Sequence, residues 1–301
     1  MILKPHKACD VDLSKIDREM WIMPKIDGVR ALHINDAFQS RTLKPFPNTH
    51  LMALDYHQLA GLDGELVKGS PTSGFTCRDT TSGTSTINGP KAGEFTWHIF
   101  DYVDPKELGA PYAVRYELAR QRVSMLSGVV DFGLEIVPYE IATSVEDILR
   151  LHAEYVGQGY EGSILRDPLG LYKSGRATVS EGAFFRLKDF IEEEAEVLEV
   201  VEGETNNNEA TVNKLGYTER SSHKANKVGN GMVGSLRCID LKTDQEITVS
   251  AGRLTHEERK YFFENPNQIL GRVIKYRAMP YGKKDLPRFP TFQCFRASFD
   301  M

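Results

Sequence analysis

An acidic run divides this chain of 301 residues into two parts with different patterning. Between Asp189 and Glu209 there are nine acidic residues and neither Lys nor Arg. Before the run, apolar segments alternate with turn-rich segments; after it come short strand patterns separated by polar stretches. A chain of this length can bury two separate cores. We therefore predict two domains, residues 1–190 and residues 191–301.

The first part has the pattern of a mixed α+β domain. Alternating or apolar runs predict six strands: EMWIMPK, VRALHIN, LDGELV, FTWHIFDYV, GSILRD and AFFRLKD. Helical spacing predicts helices over residues 113–125 and 144–156. In the second helix, Ser144 followed by Glu146 and Asp147 is typical of a helix start.

The pattern of the second part predicts five strands: EAEVLEVV, GMVGSLRCIDL, EITVSA, RVIKYRAM and TFQCFRASF. Between the third and the fourth lies LTHEERKYFFE, in which Thr255 and Glu258 form a capping box for a helix. Five strands with a helix in that place is the plan of an OB-fold barrel. Residues 203–231, rich in Asn, Ser, Gly and Lys, predict a long flexible loop.

Composition limits the cellular setting. No stretch of about 18 apolar residues occurs, so no membrane span is predicted. The N-terminus lacks the pattern of a signal peptide, and we expect a cytoplasmic protein. The four cysteines are far apart and form no CxxC pair, which predicts neither a zinc site nor a disulfide framework.

The net charge of −5 argues against nucleic-acid binding, but charge is unevenly distributed. Between Gly271 and Arg296 there are seven basic residues and one acidic residue, Asp285. A local basic face matters more to a polyanion than the total charge does. Binding of a nucleic acid therefore remains open.

The segment KIDGVR, residues 25–30, is the clearest chemical signal. Asp-Gly alone is typical of a hairpin turn, so an ordinary turn is one interpretation. In the functional interpretation Lys25 is a nucleophile, which requires that burial or neighbouring cations lower its pKa. Gly28 would let the backbone pass close to a nucleotide, and Arg30 could hold a polar group with two hydrogen bonds.

Other positions have both a plain and a functional interpretation. Glu65 faces either solvent or a pocket, and Phe100 is either a core aromatic or a plate for a base. Glu161 immediately precedes an apolar strand. Arg186 and Lys188 share one strand face, which suits either a phosphate or solvent.

The order of these segments is more informative than any one of them. KIDGVR, SRTLKPFPN, LDGEL, HIFDYV, YEGSILR and FRLK follow one another and precede the OB-like part. This order resembles the covalent nucleotidyltransferase superfamily, and within it the small ATP-dependent DNA ligases of the bacteriophage type. The resemblance covers nearly the whole chain. It implies an adenylation (nucleotidyltransferase) domain followed by an OB-fold domain, and an enzyme that uses ATP and Mg²⁺ to seal nicked duplex DNA.

The resemblance also implies roles for residues of the first domain. Lys25 would attack the α-phosphate of ATP and hold AMP, and Arg30 would contact the ribose side of the nucleotide. Glu65 would accept a hydrogen bond from a ribose hydroxyl, and Phe100 would stack on adenine. Arg41, in SRTLKPFPN, would lie near the 5′-phosphate of the nick.

The remaining implied roles concern phosphates and metal. Glu161 would bind a divalent cation, and Arg186 and Lys188 would bind the α-phosphate, with Lys188 also catalytic. The family usually has lysine at both of these last positions, so Arg186 is a departure. The final motif of the family has no clean counterpart, but DLPRFPTFQCFR, with Arg288 and Arg296, resembles its phage-type version and would orient the β- and γ-phosphates.

An acidic protein that binds DNA needs a local basic track. We predict that the loop contributes to it together with the basic C-terminal segment and Arg41. The loop residues concerned are Lys214, Arg220, Lys224 and Lys227.

Several alternatives share part of this pattern. An RNA ligase or an mRNA-capping guanylyltransferase would have the same lysine motif. An NAD-dependent ligase is disfavoured, because only 24 residues precede Lys25 and no cysteine zinc module follows. A non-catalytic OB-type binder is disfavoured by Lys25, Glu65, Glu161 and Lys188. We expect a monomer.

Overall fold

A computed structural model describes residues 3–35, 37–53, 57–280 and 286–296. The chain folds into two compact units, of which unit 1 ends at Lys188 and unit 2 begins at Asp189. That residues 1–190 and 191–301 are independently folding domains stays a prediction. None of the helices within the described ranges is long and apolar enough to cross a membrane.

Unit 1 contains ten strands and four α-helices within these ranges. The strands are β1 Cys9–Asp10, β2 Met20–Lys25, β3 Val29–Ile34, β4 Ala37–Ser40, β5 Leu62–Lys68, β6 Phe95–Tyr102, β7 Gly133–Ile136, β8 Glu140–Ala142, β9 Gly162–Arg166 and β10 Phe184–Lys188. The helices are α1 Thr49–Met52, α2 Thr76–Ser85, α3 Tyr112–Leu126 and α4 Val145–Gly157. Short 3-10 helices lie at Leu13–Lys15, His57–Leu59, Ala92–Glu94 and Val179–Glu181.

The strands form two five-stranded sheets, with the orders β1-β10-β9-β2-β8 and β4-β3-β5-β6-β7. Pairing is antiparallel except between β1 and β10 and between β6 and β7. All six predicted strands and both predicted helices are present. At the start of α4, the Ser144 hydroxyl accepts a hydrogen bond from the Asp147 amide, as the sequence predicted.

Alternation of side chains across each sheet determines where the cores lie. One face of the second sheet packs on α3, where Trp97 and Leu66 join Ala119 in one buried cluster. One face of the first sheet packs on α4, where Leu165 joins Leu151. A further cluster contains apolar residues from both sheets, so their other faces meet. Its buried members are Met23, Ile26, Val67, Tyr112, Tyr116 and Val137.

Unit 2 is built around a closed barrel with the order β11-β14-β15-β17-β16. Its elements are β11 Ile191–Asn206, β12 Ala210–Val212, β13 Thr218–Arg220, β14 Lys227–Asp240, β15 Glu246–Ser250, α5 His256–Glu264, β16 Val273–Met279 and β17 Arg288–Phe295, with 3-10 helices at Lys224–Asn226 and Pro266–Gln268. Helix α5 lies between the third and fourth barrel strands and begins with the predicted capping box of Thr255 and Glu258. The predicted α+β domain followed by an OB-fold barrel is confirmed. Residues 297–299 of the last predicted strand lie outside the described residues.

The prediction that residues 203–231 form a flexible loop is wrong. Strands β11 and β14 continue beyond the barrel as a two-stranded ribbon as far as the pair Asn206 and Lys227, and β12 and β13 form a small hairpin between them. The Asn208 amide donates to the carbonyl oxygens of Ser221 and His223, which ties the two sides together. Backbone pairing, the buried Asn208 amide and the buried Leu215 side chain hold this segment. Its mostly polar strands have no apolar alternation for a sequence pattern to detect. We call residues 203–231 the ribbon.

Candidate active site

Lys25 ends β2 and meets two other charged side chains at the end of its sheet. Lys25 and Lys188 both lie opposite Gly162, on the two sides of β9. The ammonium groups of Lys25 and Lys188 each donate to a different carboxylate oxygen of Glu161. A Cβ atom on Gly162 would lie 2.3 Å from the Leu187 carbonyl oxygen, so only glycine allows these strand ends to come so close. The structure thus joins three residues that the sequence predicted separately.

Burial and neighbouring charges shift the pKa values of Glu161 and Lys188. The Glu161 side chain is 7% exposed. Burial by itself raises the pKa of Glu161, but the positive charges of Lys25 and Lys188 outweigh it and hold this pKa below its usual value. Burial, assisted by the charge of Lys25, lowers the pKa of Lys188. Lys188 thus places a second positive charge beside Lys25, with the Glu161 carboxylate between them.

A cavity of about 490 Å³ opens beside Lys25, between the two sheets of unit 1. Six of the predicted site residues line it: Lys25, Arg30, Arg41, Glu65, Phe100 and Arg186. Part of the wall is apolar, with Met23 and Ile164 near the Phe100 ring, and the rest is rich in cations. An apolar, aromatic part next to a cationic part suits a ligand with a flat base and phosphates.

Arg30 is held from two directions. Its Nε lies 2.9 Å and its Nη2 2.5 Å from the two carboxylate oxygens of Asp63, and its Nη1 donates to the His6 carbonyl oxygen at 2.5 Å. Asp63 is 1% exposed, so this is a buried bidentate pair. The Arg30 guanidinium carbon also lies 5.3 Å from the centroid of the Phe100 ring. Sequence reasoning missed the role of Asp63, although its position two residues before Glu65 placed it on the pocket face of β5.

Glu65 has an altered acidity in this pocket. Burial raises the pKa of Glu65 to about 7, against the opposing charges of Lys25 and Arg30. The carboxyl group therefore changes protonation near neutral pH. Gly28 also lines the pocket, but a Cβ atom there would lie 2.3 Å from the Leu66 carbonyl oxygen. Close approach to β5 thus requires this glycine, in addition to the predicted approach to a nucleotide.

Arg186 and Arg41 differ in how firmly they are held. The Arg186 Nε and Nη2 atoms lie 2.7 and 3.2 Å from the carboxylate oxygens of Asp10 on β1. Arg41 follows β4, is exposed, and lines the same cavity. The fork of Arg186 is therefore fixed before any ligand binds, whereas the side chain of Arg41 faces open solvent.

Three further basic residues line the cavity that sequence reasoning did not select: Lys7, Arg166 and Arg176. Arg166 is 2% exposed, and its Nη2 lies 3.2 Å from Asp101 while its guanidinium carbon lies 3.4 Å from the Phe184 ring centroid. Arg166 ends the strand predicted from YEGSILRD, and this position could have identified it as a site residue. Lys7 and Arg176 stand in segments without a recognisable pattern.

The four cations predicted to contact DNA from the ribbon are Lys214, Arg220, Lys224 and Lys227. Arg220 donates to the Asn208 carbonyl oxygen, and the Lys227 Nζ lies 3.6 Å from a Glu204 carboxylate oxygen. The other two are exposed and, within the described part of the chain, take part in no ion pair. The ribbon therefore has two partnered and two available cations.

Two cations of the basic C-terminal segment are paired with carboxylates of the acidic run. Strands β11 and β16 are neighbours in the barrel. The Lys275 Nζ lies 2.7 Å from a Glu192 carboxylate oxygen, and the Arg296 guanidinium is paired with Glu194. Lys275 and Arg296 are thus paired internally, whereas the guanidinium carbons of Arg272 and Arg277 lie 3.8 Å from the ring centroids of Phe295 and Phe190. That the segment contributes to a basic track stays a prediction.

The other basic positions of that segment are less informative. Arg288 begins β17, and its guanidinium carbon lies 5.6 Å from the Phe289 ring centroid. Lys283 and Lys284 lie outside the described residues. The roles of Arg288 and Arg296 toward the β- and γ-phosphates stay predictions.

Comparison with known proteins agrees with this architecture. Residues 226–296 match the family model of the DNA ligase OB-like domain. The structure of Chlorella virus DNA ligase-adenylate aligns with a TM-score of 0.55 at 23% identity, over 98% of this chain and all of that chain. A Lig E DNA ligase aligns with a TM-score of 0.68 at 18% identity, over 98% and 99% of the two chains. The ATP-dependent DNA ligase of bacteriophage T7, in complex with ATP, aligns with a TM-score of 0.53 at 16% identity, over 97% and 98%.

This chain has the fold of the ATP-dependent DNA ligases. The resemblance predicted from the order of its motifs is confirmed at the level of the fold. A search of curated proteins finds no match to its sequence. The ligase fold places Lys25, Glu161 and Lys188 in contact and surrounds Lys25 with an aromatic ring and several cations.

Proposed function

We propose that this chain is an ATP-dependent DNA ligase that works through a lysyl-AMP intermediate. AMP passes from Lys25 to the 5′-phosphate at a nick in duplex DNA, and attack by the 3′-OH then seals the nick and releases AMP. The observation that carries the proposal is the contact of Lys25, Glu161 and Lys188 beside a cavity with an aromatic ring and several cations. The Chlorella virus structure, a ligase-adenylate, and the bacteriophage T7 structure, a complex with ATP, agree with it.

In the first step the Lys25 amine attacks the α-phosphate of ATP. The lone pair of the neutral amine forms the nitrogen–phosphorus bond, and the bond to pyrophosphate breaks with its electron pair leaving on pyrophosphate. The two protons that the ammonium gives up over this step pass to solvent. Glu161 accepts hydrogen bonds from Lys25 and so holds the amine in one place. Lys188 and the fixed fork of Arg186 bind the α-phosphate and stabilise the charge that develops on it.

The nucleoside occupies the apolar part of the cavity. Phe100 stacks on adenine, because its ring lies in the cavity wall and every base has a face on which an aromatic ring can stack. Ionised Glu65 accepts a hydrogen bond from a ribose hydroxyl. Arg30, oriented by Asp63, contacts the ribose side of the nucleotide.

Magnesium fits this donor set. Within the described residues there is no cluster of three or more His, Cys, Asp or Glu side chains that could hold a metal. Mg²⁺ usually keeps several waters and takes one or two carboxylates, so Glu161 alone is a sufficient protein ligand. The ion would neutralise charge on the triphosphate and make pyrophosphate a better leaving group.

Other cations bind the phosphates of the DNA and of the pyrophosphate leaving group. Arg41 lies near the 5′-phosphate of the nick, and Arg288 and Arg296 orient the β- and γ-phosphates. On the ribbon, Lys214 and Lys224 contact DNA phosphates directly, and Arg220 and Lys227 contact them after giving up their present partners. We further propose that the protein acts in the cytoplasm as a monomer.

Labelling tests this function against its alternatives. The protein is incubated with Mg²⁺ and labelled ATP, GTP or NAD⁺ in parallel, separated on a denaturing gel, and then chased with nicked DNA or nicked RNA. We expect a labelled band with ATP alone and release of the label by nicked DNA. Labelling by GTP would indicate a capping enzyme, release by nicked RNA alone an RNA ligase, and no covalent label a binding protein.

A further inference from the structure

Arg186 is held by Asp10, its direct neighbour across the pairing of β1 with β10. The two strands run parallel, and Asp10 lies opposite Arg186 in their register. The Val11 amide donates to the Arg186 carbonyl oxygen at 3.1 Å, which ties the two backbones together at this point. The Arg186 Nε and Nη2 atoms lie 2.7 and 3.2 Å from the two carboxylate oxygens of Asp10. Backbone and side chain thus fix Arg186 at the cavity wall.

The contact with Asp10 uses only one edge of the Arg186 guanidinium. A guanidinium has five N–H donors in one plane, and Asp10 accepts from Nε and from one N–H of Nη2. Among the residues that the structure describes, none accepts from Nη1 or from the second N–H of Nη2. These donors form a second fork, which points away from Asp10 and matches two oxygens of a phosphate. Because Arg186 lines the Lys25 cavity, this fork is available to a bound triphosphate.

The negative charge of Asp10 makes its role testable by the sign of an effect. The hydrogen bonds from Arg186 hold the pKa of Asp10 below its usual value, so the carboxylate is ionised at neutral pH. A carboxylate at this place reduces the positive charge that the cavity presents to a triphosphate. If Asp10 acted by charge alone, its removal would favour the reaction with ATP. If it acts by orienting the fork, its removal slows that reaction.

The pair contributes little to the stability of the fold. The side chains of Asp10 and Arg186 are 72% and 34% exposed, and ion pairs in contact with water are nearly neutral in energy. Removal of Asp10 should therefore leave the protein folded. A functional effect of such a change can be read without a correction for unfolding.

A lysine at position 186 would respond to Asp10 in the opposite way. An ammonium is a mobile point charge without a fixed fork. Held by Asp10, it would be drawn away from the phosphate, whereas a guanidinium held by Asp10 keeps a second edge for the phosphate. Asp10 thus suits an arginine at this position, where the family that the chain resembles usually has lysine.

We propose that Asp10 is a positioning residue for the adenylation step, and that it orients Arg186 so that the second fork of the guanidinium meets the α-phosphate. This inference rests on the proposed ligase function and extends it to a residue outside the recognised motifs. The oriented fork stabilises charge that develops as pyrophosphate leaves. Its effect therefore falls on the rate of adenylation at saturating ATP and not on the affinity for ATP.

Single-turnover labelling with ATP and Mg²⁺ tests this role. In Asp10→Ala the maximal rate of self-adenylation should fall by about tenfold, the effect of losing one hydrogen bond to a charged group. The ATP concentration that gives half of this rate should change by less than about twofold. Asp10→Asn, which keeps one acceptor oxygen and the shape of the side chain, should lose less.

The matched control is Asp12→Asn. It removes a negative charge from the same segment, but the Asp12 carboxylate accepts from the amide and the hydroxyl of Ser14 and not from Arg186. This variant should adenylate at the native rate. Melting curves of all variants show whether each one is folded.

A second arm exchanges the partner of Asp10. Arg186→Lys is measured alone and together with Asp10→Ala. We expect Asp10→Ala to slow the protein that has arginine at position 186 and to accelerate the protein that has lysine there, because the ammonium is then released toward the phosphate. A role in folding alone would slow both proteins equally.

Three results would overturn the proposal. One is a native or increased rate in folded Asp10→Ala and Asp10→Asn, which would mean that Asp10 acts by charge or not at all. Another is an equal loss with arginine and with lysine at position 186. The third is a change only in the ATP concentration needed for half the maximal rate. If the native protein forms no covalent adduct with ATP, the ligase function itself is wrong and the proposal falls with it.

Discussion

In unit 1, Lys7, Arg41 and Arg176 line one cavity and, among the described residues, pair with no carboxylate, whereas in unit 2 Lys275 and Arg296 are each paired with a glutamate of β11. Unit 2 has the more conspicuous basic segment in the sequence, yet two cations of that segment are neutralised by glutamates, whereas the three cavity cations of unit 1 are not. Adjacent strands bring the acidic run and the basic segment together, so Lys275 and Arg296 are each neutralised by a glutamate. The number of cations in a segment therefore does not show how many can bind a ligand.

The same comparison explains why the unit 1 cavity is a better candidate site. Clustered like charges reduce stability unless a ligand neutralises them, whereas exposed ion pairs are nearly neutral in energy. An anion bound at such a cluster would stabilise the fold. Changes in unit 1 should therefore affect function far more than changes at the paired positions of unit 2.

The largest effect is expected at Lys25. Lys25→Ala should reduce self-adenylation by ATP to background, because the variant lacks the nucleophile. It should still join a nick that already carries 5′-AMP, at least weakly, since that step does not use the lysine covalently. Lys106→Ala, at an exposed position of unit 1, is the control, and normal labelling of Lys25→Ala would contradict the assignment.

The second effect concerns Glu65 and pH. Because burial raises the pKa of Glu65 to about 7, its carboxylate form becomes dominant only as the pH rises through about 7. The affinity for ATP should increase by about tenfold over this range, as the ionised group accepts a hydrogen bond from the ribose. Isothermal titration from acidic to basic pH should show this increase in the native protein and not in Glu65→Gln.

Thermal unfolding gives an independent check on the same group. The folded protein binds the Glu65 proton more tightly than the unfolded chain does. The resulting contribution to stability is complete below the ordinary pKa of a glutamate and is lost as the pH rises through about 7. The Tm of the native protein should therefore fall relative to that of Glu65→Gln over this range, and a constant difference would mean that the pKa is not raised.

Changes on the ribbon should have a smaller effect, on the binding of nicked DNA. They compare the available cations of unit 2 with its paired cations. Replacing Lys214 and Lys224 together by alanine should weaken binding to nicked DNA and lower the slope of its salt dependence by about 2 phosphate equivalents. Lys242→Ala, which removes an exposed unit 2 cation already paired with Glu193, is the matched control and should leave the slope unchanged. If the double variant binds with the native affinity and slope, the ribbon does not contact DNA.

The smallest effect is expected at Lys275. Because its ammonium is paired with Glu192 at the exterior of the barrel, Lys275→Ala should change the affinity for nicked DNA by less than about twofold. Fluorescence anisotropy at two salt concentrations measures this. A large loss of affinity would mean that the ion pair opens when DNA binds and that the two units do not differ as described.

The order of motifs was sufficient to predict the fold and most of the candidate site. Residues spread over five strands, from Lys25 to Arg186, line one cavity. This agrees with the resemblance of the ordered motifs to the ATP-dependent DNA ligases. The acidic residues that hold the site arginines in place could not be predicted in the same way. Arg186 is held by Asp10 at a separation of 176 residues, and Arg30 by Asp63 at 33. Such partners depend on which strands become neighbours, and a local pattern contains no information about that.

The ribbon shows a different limit of sequence reasoning. Hydrophobic periodicity detects a strand only when one of its faces is buried. Residues 203–231 are mostly polar and are held by backbone pairing, by the Asn208 amide and by the single buried apolar side chain of Leu215, so they have the composition of a loop. The composition correctly marked a basic segment but could not distinguish the cations that are partnered from those that are available.

The most direct test of the central claim is to locate the adenylyl group and follow its transfer. The protein is charged with ATP and Mg²⁺, purified, and divided; one part is digested and mapped by mass spectrometry, and the other is mixed with nicked duplex DNA bearing a 5′-phosphate. We predict one adenylyl group, on the peptide that contains Lys25, which leaves the protein as the sealed strand forms. An adenylyl group on another residue, or one that remains on the protein while the nick stays open, would contradict the account.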